Sequence, residues 1–318
     1  MLISRRTIIF GTLAVSTSRA LANASGPVTI IVPFAPGASS DGIARTVGTY
    51  LSDSLKMTIV VDNRVGGGGA LGLMAVSRAS ADGNTIGIGA TGAVVVNPHV
   101  AGAPAFDPIK QLAPIAKLVD IPLVLVASPS SGLRSISDVV AKSKETAQGL
   151  SFGSTGVNSS QHLSIEVLKQ MTGAKLEHVP YRGSAPATTD VLGGQLPLAC
   201  VDLTSVAEQI KAGNLVPIGV TAAKRFSIAP EIPTIAEQGL KGFDVPAWLG
   251  MFGPSALPAE VIDQFSGALS KAMSDTDVSA RVERLACQSA FLGAKEFALF
   301  IREQSDKMKP LVKLVEKT

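Results

Sequence analysis

Aromatic side chains are scarce in this 318-residue chain: 1 Trp, 2 Tyr and 11 Phe, or 4% of residues. That argues against a surface on which single-stranded nucleic acid could stack. Charged residues are also few, at 17%, but hydrophobic residues reach 46%, which excludes a disordered chain. Beyond the N-terminus no apolar run is long enough to cross a bilayer. The most apolar one, residues 121–127, is strand-length and contains Pro122. Cysteine is limited to Cys200, in an apolar run, and Cys287, in a stretch that reads as helical. Their spacing matches no metal site, and two buried thiols or one disulfide both remain open. His99, His162 and His178 likewise lack metal-like spacing and read as capping or packing residues.

Several nucleotide and nucleophile signatures are missing or incomplete. There is no G-x-S-x-G elbow. The four glycines at 66–69 lack the Lys-Ser/Thr of a phosphate loop. Gly87-Ile88-Gly89-Ala90-Thr91-Gly92 matches G-x-G-x-x-G, but Asn97-Pro98 soon follows, a poor continuation for a long helix. No acid ends a next strand about 20 residues on, as dinucleotide binding requires. No cofactor is expected.

What is present begins with a leader. Arg5 and Arg6 precede a short apolar stretch, and Ala22-Asn23-Ala24 gives an A-x-A cleavage signature. Residues 1–24 are therefore expected to be a signal peptide, with a partial likeness to a twin-arginine leader. No Cys follows the apolar stretch, so a lipid anchor is not expected. The whole chain has 28 Lys+Arg against 25 Asp+Glu. Removing Arg5, Arg6 and Arg19 leaves 25 of each, so the basic excess belongs to the leader. The expected location is the periplasm.

Strand-like and helix-period runs then alternate. Val28-Thr29-Ile30-Ile31-Val32 reads as a buried strand, and Ile43, Val47, Leu51 and Leu55 recur at i+4 as a helix. A second strand (59–61), a helix (71–79) and a third strand (85–89) follow. This β-α-β-α-β order predicts a parallel sheet flanked by helices. The alternation restarts after Pro122, and prolines crowd 230–258 as connecting segments before three C-terminal helices. The expected organisation is a first lobe at 25–121, a second lobe at 122–243, and a return segment at 244–318 that completes the first.

One feature occurs in both lobes. Strand 28–32 runs into Pro36-Gly37-Ala38-Ser39-Ser40-Asp41, and strand 150–153 into Ser154-Thr155-Gly156-Val157-Asn158-Ser159-Ser160. Each is a strand, a small-residue loop and a helix N-terminus, where free N–H groups and the helix dipole favour an anion. Plain N-capping accounts for either loop alone. As a pair in an α/β chain they point to a small anion gripped from two sides.

The sequence resembles the Bug-type extracytoplasmic receptors of tripartite tricarboxylate transporters. The resemblance is carried by Ile31-Val32-Pro33-Phe34-Ala35-Pro36-Gly37-Ala38-Ser39-Ser40-Asp41, Val61-Asp62-Asn63-Arg64 and Ala81-Asp82-Gly83-Asn84-Thr85. It continues through Val179-Pro180-Tyr181-Arg182-Gly183, Ile218-Gly219-Val220-Thr221 and Pro230-Glu231-Ile232-Pro233-Thr234-Ile235-Ala236-Glu237. It implies an α/β type II periplasmic binding protein fold, two doubly wound lobes with an interlobe ligand cleft. It also implies a carboxylate held with ordered waters between the two loops. Carried over, this names Phe34, Ala35, Gly37, Ala38 and Ser39 from the first loop. Ser154, Thr155, Gly156 and Ser159 come from the second, with Tyr181, Arg182 and Asp202 near and Thr91 added at the end of the third strand. Ala38 stands where the family usually has a second glycine, and the run at 66–69 replaces a Pro-Gly-Ala/Ser-Gly.

Arg182 reads as a bidentate partner for a second carboxylate or as a surface ion pair. Asp202 reads as a partner for an ammonium group or for local backbone. Asp41 suits the dipole of its helix, and Trp248 and Phe252 read as core. The function expected is a monomeric solute receptor that takes a small carboxylate and hands it to a membrane permease, without catalysis. The alternatives are a sensor that signals to a membrane kinase, and an exported hydrolase using a serine with His162 or His178.

Overall fold

The computed structural model describes residues 26–102 and 106–315. The expected leader and its cleavage signature lie outside them. The chain opens with β1 (Val28–Val32), α1 (Ser39–Leu55), β2 (Ile59–Asn63), α2 (Ala70–Ser77) and β3 (Thr85–Ala90). The i+4 residues Ile43, Val47 and Leu51 of α1 are fully buried, as a helix stripe laid on a sheet requires. β1 pairs in parallel with β2 on one edge and β3 on the other, and four of its five residues are buried, as the continuous apolar run of an interior parallel strand requires.

Next come α3 (Pro108–Gln111), β4 (Leu112–Ile121), β5 (Leu123–Ala127), α4 (Ile136–Ser143), β6 (Leu150–Ser154), α5 (Ser160–Thr172) and β7 (Leu176–Pro180). They are followed by α6 (Ser184–Leu192), β8 (Leu198–Asp202), α7 (Ala207–Lys211) and β9 (Val216–Val220). The chain ends with β10 (Ala247–Pro254), α8 (Ala259–Ser274), α9 (Thr276–Arg284), β11 (Gln288–Gly293) and α10 (Ala294–Val315). The strands form two sheets, ordered β11-β4-β10-β3-β1-β2 and β7-β6-β8-β5-β9.

Both sheets are mixed, which departs from the parallel expectation. β10 runs antiparallel to β3 and β4, β11 antiparallel to β4, and β5 antiparallel to β8 and β9. The strands that the sequence reading did not expect are β4, β10 and β11. β4 carries Pro114, Lys117 and Asp120, which mask an apolar run. Lys117 is nonetheless buried, its Nζ 2.7 Å from Asp120 and 4.6 Å above the Phe300 ring. β10 carries Gly250, Gly253 and Pro254, which read as turn signals, yet all eight of its residues are buried. A Cβ at Gly250 would lie 2.2 Å from the Phe297 ring of α10, so the glycine makes room for that ring.

The chain crosses between the sheets at Pro122 and again between β9 and β10. These two passages lie side by side, with the Thr221 amide donating to the Leu123 carbonyl at 3.0 Å. Cys200 ends up buried in β8, and Cys287 is buried in the turn between α9 and β11 rather than in a helix. Both are free thiols. Burial raises both thiol pKa values, that of Cys287 to about 12.

Candidate functional site

β1 and β6 each run into a small-residue loop and then a long helix, and the two loops meet between the sheets. The second loop also lies close against the glycine turn at 66–69 and the turn that follows β3. A Cβ at Gly68 would lie 2.5 Å from the Val157 carbonyl oxygen, and one at Gly92 would lie 2.8 Å from the Ser160 nitrogen. Between the sheets is a cavity in which about 30 Å³ can hold the centre of a water molecule. As it stands that is room for about two waters, so a solute enters only if the walls part.

A hydrogen-bonded chain crosses this cavity. Thr155 Oγ1 donates to Gln161 Oε1 at 2.9 Å, and Gln161 Nε2 donates to Asp202 Oδ1 at 2.7 Å. From the other sheet, the Ser39 hydroxyl donates to Asp202 Oδ2. The Asp202 amide donates to Ser184 Oγ at 3.1 Å. All of these side chains are buried. Burial raises the Asp202 carboxyl pKa, and the Ser39 and Gln161 donors pull it part of the way back. No other ionisable side chain stands on the cavity wall among the described residues.

The helix N-termini are unequal. α1 begins at Ala38, which has no side chain to cap it, and α6 begins at Gly183, also uncapped. α5 has a conventional cap: Ser159 Oγ accepts from the His162 amide at 3.2 Å and donates to the Gly156 carbonyl at 2.8 Å. The first loop is braced from behind. Asp41 accepts from the Gly37 amide at 3.3 Å, from Arg45 and from Asn63, and Asn63 also donates to the Phe34 carbonyl at 2.9 Å. This fits the structural role expected for Asp41. Gly37 holds φ at +90°, a backbone shape that favours glycine.

Seven of the expected residues stand on the wall: Phe34, Ala38, Ser39, Thr91, Thr155, Ser159 and Asp202. Thr91 spends its hydroxyl on β10, accepting from the Trp248 amide at 2.8 Å. The other six lie off the wall. Ala35 packs toward Gly183, where a Cβ would be 3.5 Å away, and Gly37 is exposed at the turn. Gly156 supports the approach of Gly68. Ser154 faces inward to His178. Tyr181 donates to Asp190, and burial first, then that carboxylate, pushes its pKa up to about 12. Arg182 is exposed, while Gly183 and Ser184 just after it reach the wall.

Gln161, which connects Thr155 of the second loop to Asp202, is not among the residues the sequence points to. Its only signal is a polar residue in the first turn of α5. Trp248 is in the core as expected, and it also borders the cavity.

Under the second loop lies a stack of rings. The centroids of His162 and His178 are 4.0 Å apart, and Phe152 lies 5.0 Å from His178. His178 Nε2 is 2.6 Å from Ser154 Oγ, and His162 Nδ1 accepts from the Asn158 amide at 3.2 Å. Burial, and then the neighbouring His162, lower the His178 pKa to about 3. A ring so weakly basic is a poor general base, and Ser154 is fully buried and away from the cavity. The pair braces the loop from behind. The G-x-G-x-x-G glycines serve packing as well: a Cβ at Gly87 would strike Val76 and one at Gly89 would strike Phe252.

Comparison with known proteins places this geometry in context. The family model described as "Tripartite tricarboxylate transporter family receptor" matches residues 43–316. Protein BugT of Bordetella pertussis is 32% identical over 265 residues, covering 83% of this chain and 80% of its own. The solved structure of periplasmic binding protein BugD matches with a TM-score of 0.86 at 30% identity, covering 92% of this chain and 98% of that one. R. palustris Rpa4515, solved with adipate, matches with a TM-score of 0.87 at 26% identity, covering 92% and 98%.

Proposed function

The chain belongs to the tripartite tricarboxylate transporter receptor family, and from that premise we propose that it is a periplasmic receptor for a small carboxylate. In this reading the two sheets are two lobes, 25–121 with 244–318 and 122–243, hinged at Pro122 and at the return to β10. The solute is a di- or tricarboxylate, an acidic amino acid or an aromatic acid. The lobes close on it, and a membrane permease receives it from the closed, monomeric receptor. The chemistry is capture and release, with no bond made or broken.

The observation that carries this reading is the chain of side chains from Thr155 through Gln161 and Asp202 to Ser39. It joins two loops from different sheets around one small cavity, beside the uncapped starts of α1 and α6. Loop amides and hydroxyls in such a place suit a carboxylate. The related Rpa4515 was solved with a dicarboxylate, which supports the ligand class.

Thermal melts and X-ray scattering across a carboxylate library test it. The expected result is that at least one acid raises the melting temperature and compacts the particle. If no acid does either, the reading fails.

A further inference from the structure

We propose that the first sheet carries a second ligand site, outside the interlobe cavity, that takes a small monocarboxylate with a bare apolar tail. Such a site is independent of what the interlobe cavity holds.

The site is a pocket between α3, β4, β10 and α10. About 100 Å³ of it can hold the centre of a water molecule, against about 30 Å³ between the sheets. That is roughly the room of a benzene ring or a chain of six to eight carbons. Val94, Leu112, Phe252 and Ile301 line it and are buried. Ile109 and Arg302 line it and are exposed, so these two mark its mouth.

The pocket is preformed. The Phe252 ring is seated on Gly89, where a Cβ would lie 2.4 Å from it, and its centroid is 5.2 Å from that of Phe297. Val94 approaches the same glycine, where a Cβ would lie 3.1 Å away. Contacts on the core side thus hold both side chains in place. Two further wall residues, Pro108 and Pro114, have no backbone N–H. A water inside needs two to four polar partners, and such walls supply few. An apolar group that displaces poorly held water binds favourably.

The mouth supplies the other half of the ligand. Arg302 is the one charged side chain on the wall, and it makes no hydrogen bond or ion pair among the described residues. A guanidinium pairs with a carboxylate through two parallel N–H donors. One cation balances one negative charge, so a monoanion fits better than a dicarboxylate or a phosphate dianion. An apolar chamber with a lone cation at its lip matches an amphiphile with a single carboxylate head.

The pocket also lies against a single π turn, residues 92–96, which contains Val94. Such turns often mark functional sites. The same turn starts at Gly92, beside Ser159 and Ser160 of the second loop. An occupant would therefore touch the turn that faces the other sheet without entering the interlobe cavity.

Isoleucine-methyl NMR tests this, with octanoate, octan-1-ol and acetate as probes. Ile109 and Ile301 report the pocket, and Ile121 reports the interlobe cavity. Octanoate should shift Ile109 and Ile301, and acetate at the same concentration should shift neither. Arg302→Gln, at an exposed position, should fold. It should weaken octanoate about fivefold, the size of one exposed ion pair, and leave octan-1-ol unchanged. Ala298→Phe, which fills the pocket from α10, should abolish the shifts. If that variant does not fold, Arg302→Gln still decides.

The proposal is overturned if octanoate moves neither Ile109 nor Ile301, if it moves Ile121 alone, or if Arg302→Gln leaves its affinity unchanged. None of these outcomes bears on the receptor reading, which the carboxylate library decides.

Discussion

Ser39, the first residue of α1, donates its hydroxyl to Asp202, the last residue of β8, and so joins one sheet to the other across the cavity. The bond does not cap α1, so removing it should leave the helix intact. It does remove a donor from a buried carboxylate, which should raise the Asp202 pKa further. Ser39→Ala is expected to cost about tenfold in affinity for the best-binding carboxylate, as for a hydrogen bond to a charged group. Calorimetry checks this, and ligand-free scattering should show a more open particle. Unchanged affinity would remove Ser39 from the closing contact.

Thr155 acts at the far end of the same chain. Its hydroxyl orients Gln161, which in turn donates to Asp202. Thr155→Val keeps the shape and deletes the hydroxyl. The Gln161 amide is then free to turn over and present its oxygen to Asp202. The expected effect is roughly tenfold weaker carboxylate binding, with a melting temperature within a few degrees of wild type. Normal affinity would show that Gln161 holds its orientation without Thr155.

Gly92 tests closure without touching the hydrogen-bonded chain. A Cβ there would lie 2.8 Å from the Ser160 nitrogen and 2.9 Å from the Ser159 Cα, both backbone atoms of the opposite loop. The backbone at Gly92 does not demand glycine, so Gly92→Ala adds bulk without local strain. The variant should fold, bind carboxylate more than about tenfold more weakly, and stay open in scattering when ligand is added. Ligand-induced compaction equal to wild type would show that the loops need not meet this closely.

How much of this was legible beforehand depended on local signals. α1 was legible because Ile43, Val47 and Leu51 repeat at helix spacing and all turn inward. The two loops were legible because a strand, small residues and a polar helix start occur twice. β4 and β10 were not, because Lys117, Gly250 and Pro254 carry polar or turn-like signals that only tertiary partners explain. Lys117 needs Asp120 and Phe300, and Gly250 needs the Phe297 ring. At the site, Gln161 had no signal beyond its place in a helix turn. Arg182 was too prominent a charge for its exposed position, while its neighbour Gly183 reaches the wall. Which of two adjacent residues faces a cavity is set by the turn between them, at φ of +151° for Gly183.

The histidine stack yields a pH prediction. In the folded protein His178 has its pKa lowered to about 3, first by burial and then by His162. His162 is also lowered, again first by burial. In the unfolded chain an imidazole titrates near its ordinary value of about 6.5. Between about pH 3 and about pH 6.5 the unfolded state therefore binds more protons than the folded state, and stability rises with pH across that window. The contribution is complete above about pH 6.5 and is lost progressively on acidification toward pH 3. Carboxylates titrate in the same range, so the wild-type curve alone does not isolate the ring. His178→Gln removes one titrating group while keeping a polar atom for Ser154. Its melting temperature should fall less than that of wild type between pH 7 and pH 4. Carboxylate affinity at neutral pH should drop only modestly, because the stack braces the loop and does not touch the cavity. Parallel melting curves for the two proteins would show that the ring is free to protonate in the folded state.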